Sequence, residues 1–246
     1  MTDFPFFKYK APQISVKQMI KVDRLMIEKY KISLLQMMEN TGRSLAMLAK
    51  ERFLDGDPVK KLVYVMCGNG GNGGAALVCA RRLHGWGARV CVFTMGDHLR
   101  DDTKKQLESI EQLNIDVKKW NGDVNDVWIP DLVIDGIIGY SILGNPSGAA
   151  EEMIAYVNNS GAQVLSLDNP SGVDLDTGYI HKPCIKAEAT MTLALPKKIL
   201  FQESVKEKRG ELYLADIGVP LELYEEEGLG LTMPYLFAQS DIIRLE

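Results

Sequence analysis

Residues 63–82 read VYVMCGNGGNGGAALVCARR, an apolar run that breaks into five glycines within the seven residues from Gly68 to Gly74 and then resumes as an alanine-rich stretch. A short apolar segment, a glycine-rich turn and a helix-forming segment make a β-loop-α unit, whose loop lets the free amides of a helix N-terminus face an anion. Gly68, Gly70 and Gly73 also match the spacing G-x-G-x-x-G. That match is weakly specific by itself.

The same alternation continues on both sides of the loop. Before it, residues 15–53 are apolar at helical spacing with a break near Tyr30 to Ser33, which predicts two helices. After the strand at 61–67 and the helix at 75–87, the pattern predicts a strand at 88–95, a helix at 101–113 opened by acids, and strands at 115–120 and 131–138. A helix at 147–161, capped by Ser147 and stopped by Gly161, and a strand at 162–168 follow. Strands at 189–195 and 211–217 and a short helix at 220–228 complete the series. Strands that are nearly continuous in apolar character are covered on both faces, so the expected fold is a Rossmann-like three-layer α/β/α sandwich with a mostly parallel sheet. No linker or repeat divides it, and residues 1–246 are expected to form one domain: a helical segment at about 15–53, an α/β core at about 61–228 and an apolar tail at 229–246. A tail carrying Tyr235, Leu236, Phe237, Ile242 and Ile243 is expected to pack on the domain or across a homodimer.

Composition removes several function classes. The chain has 46% hydrophobic residues and a formal charge of -5, so it lacks the basic excess that drives binding to nucleic acid. No apolar run approaches the ~20 residues of a membrane span, and the start MTDFPFFKYKAP does not read as a secretory signal, which leads to the expectation of a cytoplasmic protein. Cys67, Cys79, Cys91 and Cys184 lack metal-ligand spacing and read as buried thiols, while His84, His98 and His181 are scattered.

Ligands of open parallel sheets bind outside the carboxyl ends of the strands. Three polar segments follow predicted strands at that edge: GNGGNGGA after 61–67, DGIIGYSILGNPSG around the end of 131–138, and DNPSGVDLDTG after 162–168. Asp135 and Asp168 both terminate apolar strands, where a carboxylate needs a partner or a cation. Together with Asn72 and Ser171 they form a set of hard oxygens able to hold a cation, or to position and protonate a substrate. Lys197 also follows a strand end, where it either reaches toward a phosphate or lies on the surface. A dinucleotide-dependent dehydrogenase requires an acidic residue about 20 positions past the glycines. Asp97 stands 24 past Gly73, but no Tyr-x-x-x-Lys pair or second substrate domain follows.

The sequence resembles the YjeF N-terminal domain family, which includes the NAD(P)H-hydrate epimerases. The landmarks are Met38-Glu39-Asn40-Thr41-Gly42, the loop from Gly68 to Ala76, Asp135-Gly136-Ile137-Ile138-Gly139, Asp168-Asn169-Pro170-Ser171-Gly172, Pro196-Lys197, and Asp216-Ile217-Gly218-Val219-Pro220. The resemblance implies a stand-alone epimerase domain that interconverts the R and S forms of hydrated NADH or NADPH at C6 of the nicotinamide ring, in partnership with a separate dehydratase. It further implies a potassium ion held by Asn72, Asp135 and Ser171. The NADHX or NADPHX substrate would be bound by Gly71, Asn72, Gly73, Gly74 and Ala75, by the loop Gly139, Tyr140, Ser141, Ile142, Leu143, Gly144 and Asn145, and by Asp168. The loop departs from the family's G-x-G-N-N-G-G-D-G where one Asn is Gly71, where the last Gly is Ala76 and, most important, where its Asp is Ala75. Asp168 is therefore the candidate acid/base residue, and a nucleotide-binding scaffold is the alternative function.

Overall fold

The computed structural model describes residues 4–7, 11–122, 124, 129–226 and 228–246. Two helices lead, α1 (Val16–Glu28) and α2 (Leu34–Phe53). Each is opened by a serine and glutamine that cap reciprocally, with Gln18 N donating to Ser15 Oγ at 3.2 Å and Gln36 N to Ser33 Oγ at 3.3 Å. The core then alternates through β1 (Leu62–Cys67), α3 (Gly71–Gly85), β2 (Arg89–Thr94), α4 (Asp101–Glu111) and β3 (Asp116–Lys119). It continues with β4 (Leu132–Gly136), α5 (Ala149–Asn159), β5 (Gln163–Leu167) and β6 (Ala189–Leu193), a 3-10 turn at Lys198–Phe201, α6 (Glu203–Arg209), β7 (Glu211–Ala215), α7 (Leu221–Tyr224) and β8 (Ile242–Arg244).

The described strands form one sheet in the order β3-β2-β1-β4-β5-β6-β7-β8. Every pairing is parallel except that of β7 with β8. Val63, Val65 and Cys67 of β1 pack in one cluster with Leu45 and Leu48 of α2 and Leu77 and Val78 of α3. Tyr64 and Met66 pack on the other face with Met153, Ile154 and Val157 of α5. This alternation produces the expected three layers. A third cluster joins Met19, Val22 and Met26 of α1 to Leu223 of α7 and to Leu229, Leu236, Ile243 and Leu245 of the tail, so the apolar tail packs on its own chain.

Three local features differ from the expectations. Helix α3 begins at Gly71, ahead of residue 75, because the loop glycines themselves form its first turn, with Gly74 N bonded to Gly70 O at 3.1 Å. Helix α5 starts from Gly148 at φ 56°, and no Ser147 side chain caps it. The 3-10 turn, α6 and β8 carry no clear periodic signal over lengths of four, seven and three residues, and they depend on tertiary contacts.

Close docking of α2 on α3 fixes the glycine loop in place. A Cβ on Gly42 would lie 2.4 Å from Val78 Cβ and 2.5 Å from the Ala75 carbonyl oxygen. Neighbouring Glu39 pairs with both Arg81 and Arg82 of α3, and Asn40 donates to the Ile217 carbonyl at 3.1 Å. The Met-Glu-Asn-Thr-Gly landmark is thus a clamp. Gly42→Ala is expected to overpack this contact and destabilise the protein by about 1–3 kcal/mol, read as a lower denaturant midpoint with unchanged slope.

Candidate functional site

The strand order reverses between β1 and β4, since β1 leads toward β2 and β3 while β4 leads toward β5, β6 and β7. Loops leaving the two strands diverge and open a crevice at their carboxyl ends. Backbone there approaches too closely for side chains: a Cβ on Gly68 would stand 1.8 Å from the Ile137 oxygen, and one on Gly73 would stand 1.9 Å from the Gly68 oxygen. Gly70 and Gly71 instead face open space. The loop is braced from α4, with Thr103 Oγ1 donating to Gly70 O at 2.9 Å.

A cavity of about 390 Å³ occupies the crevice. From the first loop Gly70, Gly71, Asn72, Gly73 and Ala75 line it, from the second Gly139, Tyr140 and Ser141, and at its floor Asp168 and Lys197. Gly74 sits behind, against Met38 of α2. The remainder of the second loop runs outward along the rim. Leu143 is 96% exposed, and Asn145 Oδ1 accepts from Lys182 N at 3.2 Å.

Asp168 and Lys197 form an ion pair of 2.6 Å with side chains only 2% and 1% exposed. Lys197 is therefore neither a surface lysine nor free for a phosphate. Its ammonium also reaches the Leu193 carbonyl at 3.3 Å, and Thr192 Oγ1 donates to Asp168 Oδ1 at 3.1 Å. Both side-chain hydrogen bonds from the described residues fall on Oδ1, which leaves Oδ2 for a ligand. Asp168 adopts φ 67°, a left-handed conformation that costs a non-glycine residue on the order of 1–3 kcal/mol and is characteristic of residues over-determined at functional sites.

Beneath the cavity lies Asp135, 1% exposed and without a cationic partner among the described residues. Its Oδ2 accepts from Ser166 Oγ at 2.7 Å and Ser171 N at 2.9 Å, and its Oδ1 accepts from Ser171 Oγ at 2.5 Å and Ile137 N at 3.3 Å. Burial pushes its pKa up, against these hydrogen bonds. Asn72 donates to the Leu167 carbonyl at 2.9 Å and rests against Gly139, where a Cβ would come within 2.9 Å of its amide.

Sequence reasoning missed one wall of the cavity. Asp23 of α1, Met37 and Thr41 of α2, and Arg100 also line it. Asp23 carries a legible signal: it falls in the inward stripe of Met19, Val22 and Met26, where an apolar residue is expected. The four cysteines are buried and free, and burial pushes the Cys67 and Cys79 thiols up, as expected for inert core residues. Asp97 is exposed and paired with Lys119, away from any ribose-binding role in this cavity. No described helix is long and apolar enough to cross a membrane.

Comparisons with known proteins agree with the geometry. Residues 34–199 match the model of the YjeF-related protein N-terminus. An NAD(P)H-hydrate epimerase of Dehalogenimonas lykanthroporepellens is 37% identical over 88% of this chain and 86% of its own length. A bifunctional NAD(P)H-hydrate repair enzyme, Nnr, of Moorella thermoacetica is 33% identical over 85% of the chain, which corresponds to 41% of that longer protein. The crystal structure of yeast ynu0 (YNL200c) superposes with a TM-score of 0.79 over 95% of this chain and all of the yeast chain at 23% identity, a likeness of fold. The chain belongs to the YjeF-related N-terminal family.

Proposed function

We propose that the protein is an NAD(P)H-hydrate epimerase that interconverts the R and S forms of hydrated NADH or NADPH. The observation that carries this reading is the single cavity in which the glycine loop, the start of α3 and the buried Asp168–Lys197 pair converge. Relatives named for the same activity align over most of the chain.

The free amides at the start of α3 suit the diphosphate of a dinucleotide, because Gly70 and Gly71 permit close approach and the helix terminus carries partial positive charge. Inversion at a carbon bearing both a hydroxyl and the ring nitrogen requires a proton to be moved at the hydroxyl. Asp168 Oδ2 is the acceptor placed for this, and Lys197 holds the carboxylate in its left-handed setting. Ala75 supplies no group for proton transfer, so the family's loop carboxylate is replaced functionally from elsewhere in the cavity.

The donor set of Asp135, Ser171 and Asn72 fits a potassium ion. All offer hard oxygens, Asp135 is a buried carboxylate with neutral hydrogen-bond donors, and neither a cationic partner for it nor a sulfur or imidazole cluster occurs among the described residues. A bound cation would supply charge that offsets the desolvation of Asp135. The longer bifunctional relatives support a functional partnership with a dehydratase that consumes one epimer.

Incubation with one purified epimer of NADH hydrate, followed chromatographically, is expected to yield the equilibrium mixture. Asp168→Asn is expected to slow this roughly 10²- to 10⁴-fold. A native chain that leaves both epimers unchanged while Ala75→Asp converts them would instead identify a nucleotide-binding scaffold. Potassium chloride, against lithium chloride at equal ionic strength, is expected to raise the thermal midpoint by an amount equivalent to about 2.7 kcal/mol at a hundredfold excess over Kd. Asp135→Asn is expected to remove that difference.

A further inference from the structure

Asp23 and Tyr140 meet across the cavity mouth, α1 contributing the acid and the loop after β4 the phenol, and the Tyr140 hydroxyl donates to Asp23 Oδ2 at 2.7 Å. Both line the cavity that holds Asp168. Asp23 precedes the segment matched by the family model. A half-buried carboxyl beside the inward stripe of α1 is costly unless it is used or paired, and its described hydrogen-bond partner is a neutral phenol.

We propose that Asp23 and Tyr140 form a proton relay that serves the epimerisation from the α1 wall, opposite in role to Asp168 at the sheet edge. The inference rests on the epimerase reading. Inversion by loss and return of water needs a proton donor for the departing hydroxyl and an acceptor for the incoming water. In one direction, with Asp23 protonated and the Tyr140 hydroxyl turned from Asp23 toward the substrate, Tyr140 protonates the C6 hydroxyl while taking the Asp23 proton. The C6–O bond breaks, water leaves, and the ring nitrogen lone pair forms a C=N bond. Water then adds to the other face and gives its proton to Asp168, which releases it to solvent while solvent returns a proton to Asp23, so that both groups regain their starting states. The reverse epimerisation uses the same groups with roles exchanged. Ala75 leaves the first loop without a group for this task, and Asp23 supplies a carboxyl to the same cavity from α1.

Burial raises the Asp23 pKa, with Asp168 adding to the rise, while the Tyr140 hydrogen bond and the charges of Lys197 and Arg100 oppose it. Tyr140 is itself pushed up by burial and by Asp23, and Tyr224 of α7 also feels the Asp23 charge. Because the group must start protonated, turnover is expected to decline as pH rises through its elevated pKa.

The test measures kcat and KM against pH for single epimers of NADH hydrate with the full chain and with Asp23→Asn, Asp23→Glu and Tyr140→Phe, each checked for folding by thermal midpoint. Asp23→Asn and Tyr140→Phe are expected to lower kcat roughly 10²-fold, with KM within about threefold, and to flatten the high-pH decline. Asp23→Glu is expected to regain part of the rate and the pH limb. Where Asp23→Asn fails to fold, Tyr140→Phe, which keeps the ring, decides alone. An active native chain whose folded variants retain kcat, or retain the pH limb, overturns the relay and leaves the epimerase reading standing. An inactive native chain overturns both.

Discussion

The structure depends on contact between two stretches of backbone, at Gly68 and Ile137, where the loops after β1 and β4 separate. Parallel strands on either side of a reversal must send their connections in opposite directions, and something has to hold the mouth of that divergence together. Here it is held by main chain, with Gly68 N bonded to Gly136 O at 2.9 Å and no room for a side chain between the loops. Because the contact is rigid, the first turn of α3 can be built from glycines that would otherwise be entropically expensive. Helix α2 presses on α3 from behind, and the loop's open amides are left facing the cavity.

Two buried aspartates at neighbouring strand ends use different means to tolerate burial. Asp168 has a full countercharge in Lys197 and is strained in its backbone. Asp135 has hydroxyl and amide donors alone, and its pKa is driven up by burial. The first arrangement fixes a charged carboxylate whose second oxygen is open to the cavity. The second leaves a buried carboxylate held by neutral donors, against the cost of its desolvation. The shared geometry of a strand-end carboxylate therefore separates into two chemistries through what lies one strand further along: Thr192 and Lys197 for Asp168, Ser166 for Asp135.

Much of the sandwich was legible because most of its strands are apolar on both faces and the two leading helices carry apolar residues at helical spacing. The glycine loop, Asp135 and Asp168 were legible because each violates a local rule, by excess glycine or by charge at an apolar strand end. Lys197 was not resolved, since a lysine after a strand reads equally as surface or as a buried partner until Asp168 is placed against it. Asp23 was overlooked although it breaks the inward stripe of α1, because a single charge on an amphipathic helix is common and becomes informative when the cavity it faces is known. The short β8 was invisible to periodicity for a simpler reason: three residues do not establish a pattern.

That short strand carries a consequence of its own. β8 pairs antiparallel with β7, and Arg244 N is bonded to the Pro5 carbonyl while Phe7 N returns to the Arg244 carbonyl. The sheet's outer edge is thus shielded by the far end of the chain, which is in turn stitched to the segment ahead of α1. The same apolar cluster seats α1 itself. The wall bearing Asp23 therefore leans on both segments, and proteolytic clipping before Ile242 would uncover a pairing-competent edge and loosen that wall in one event.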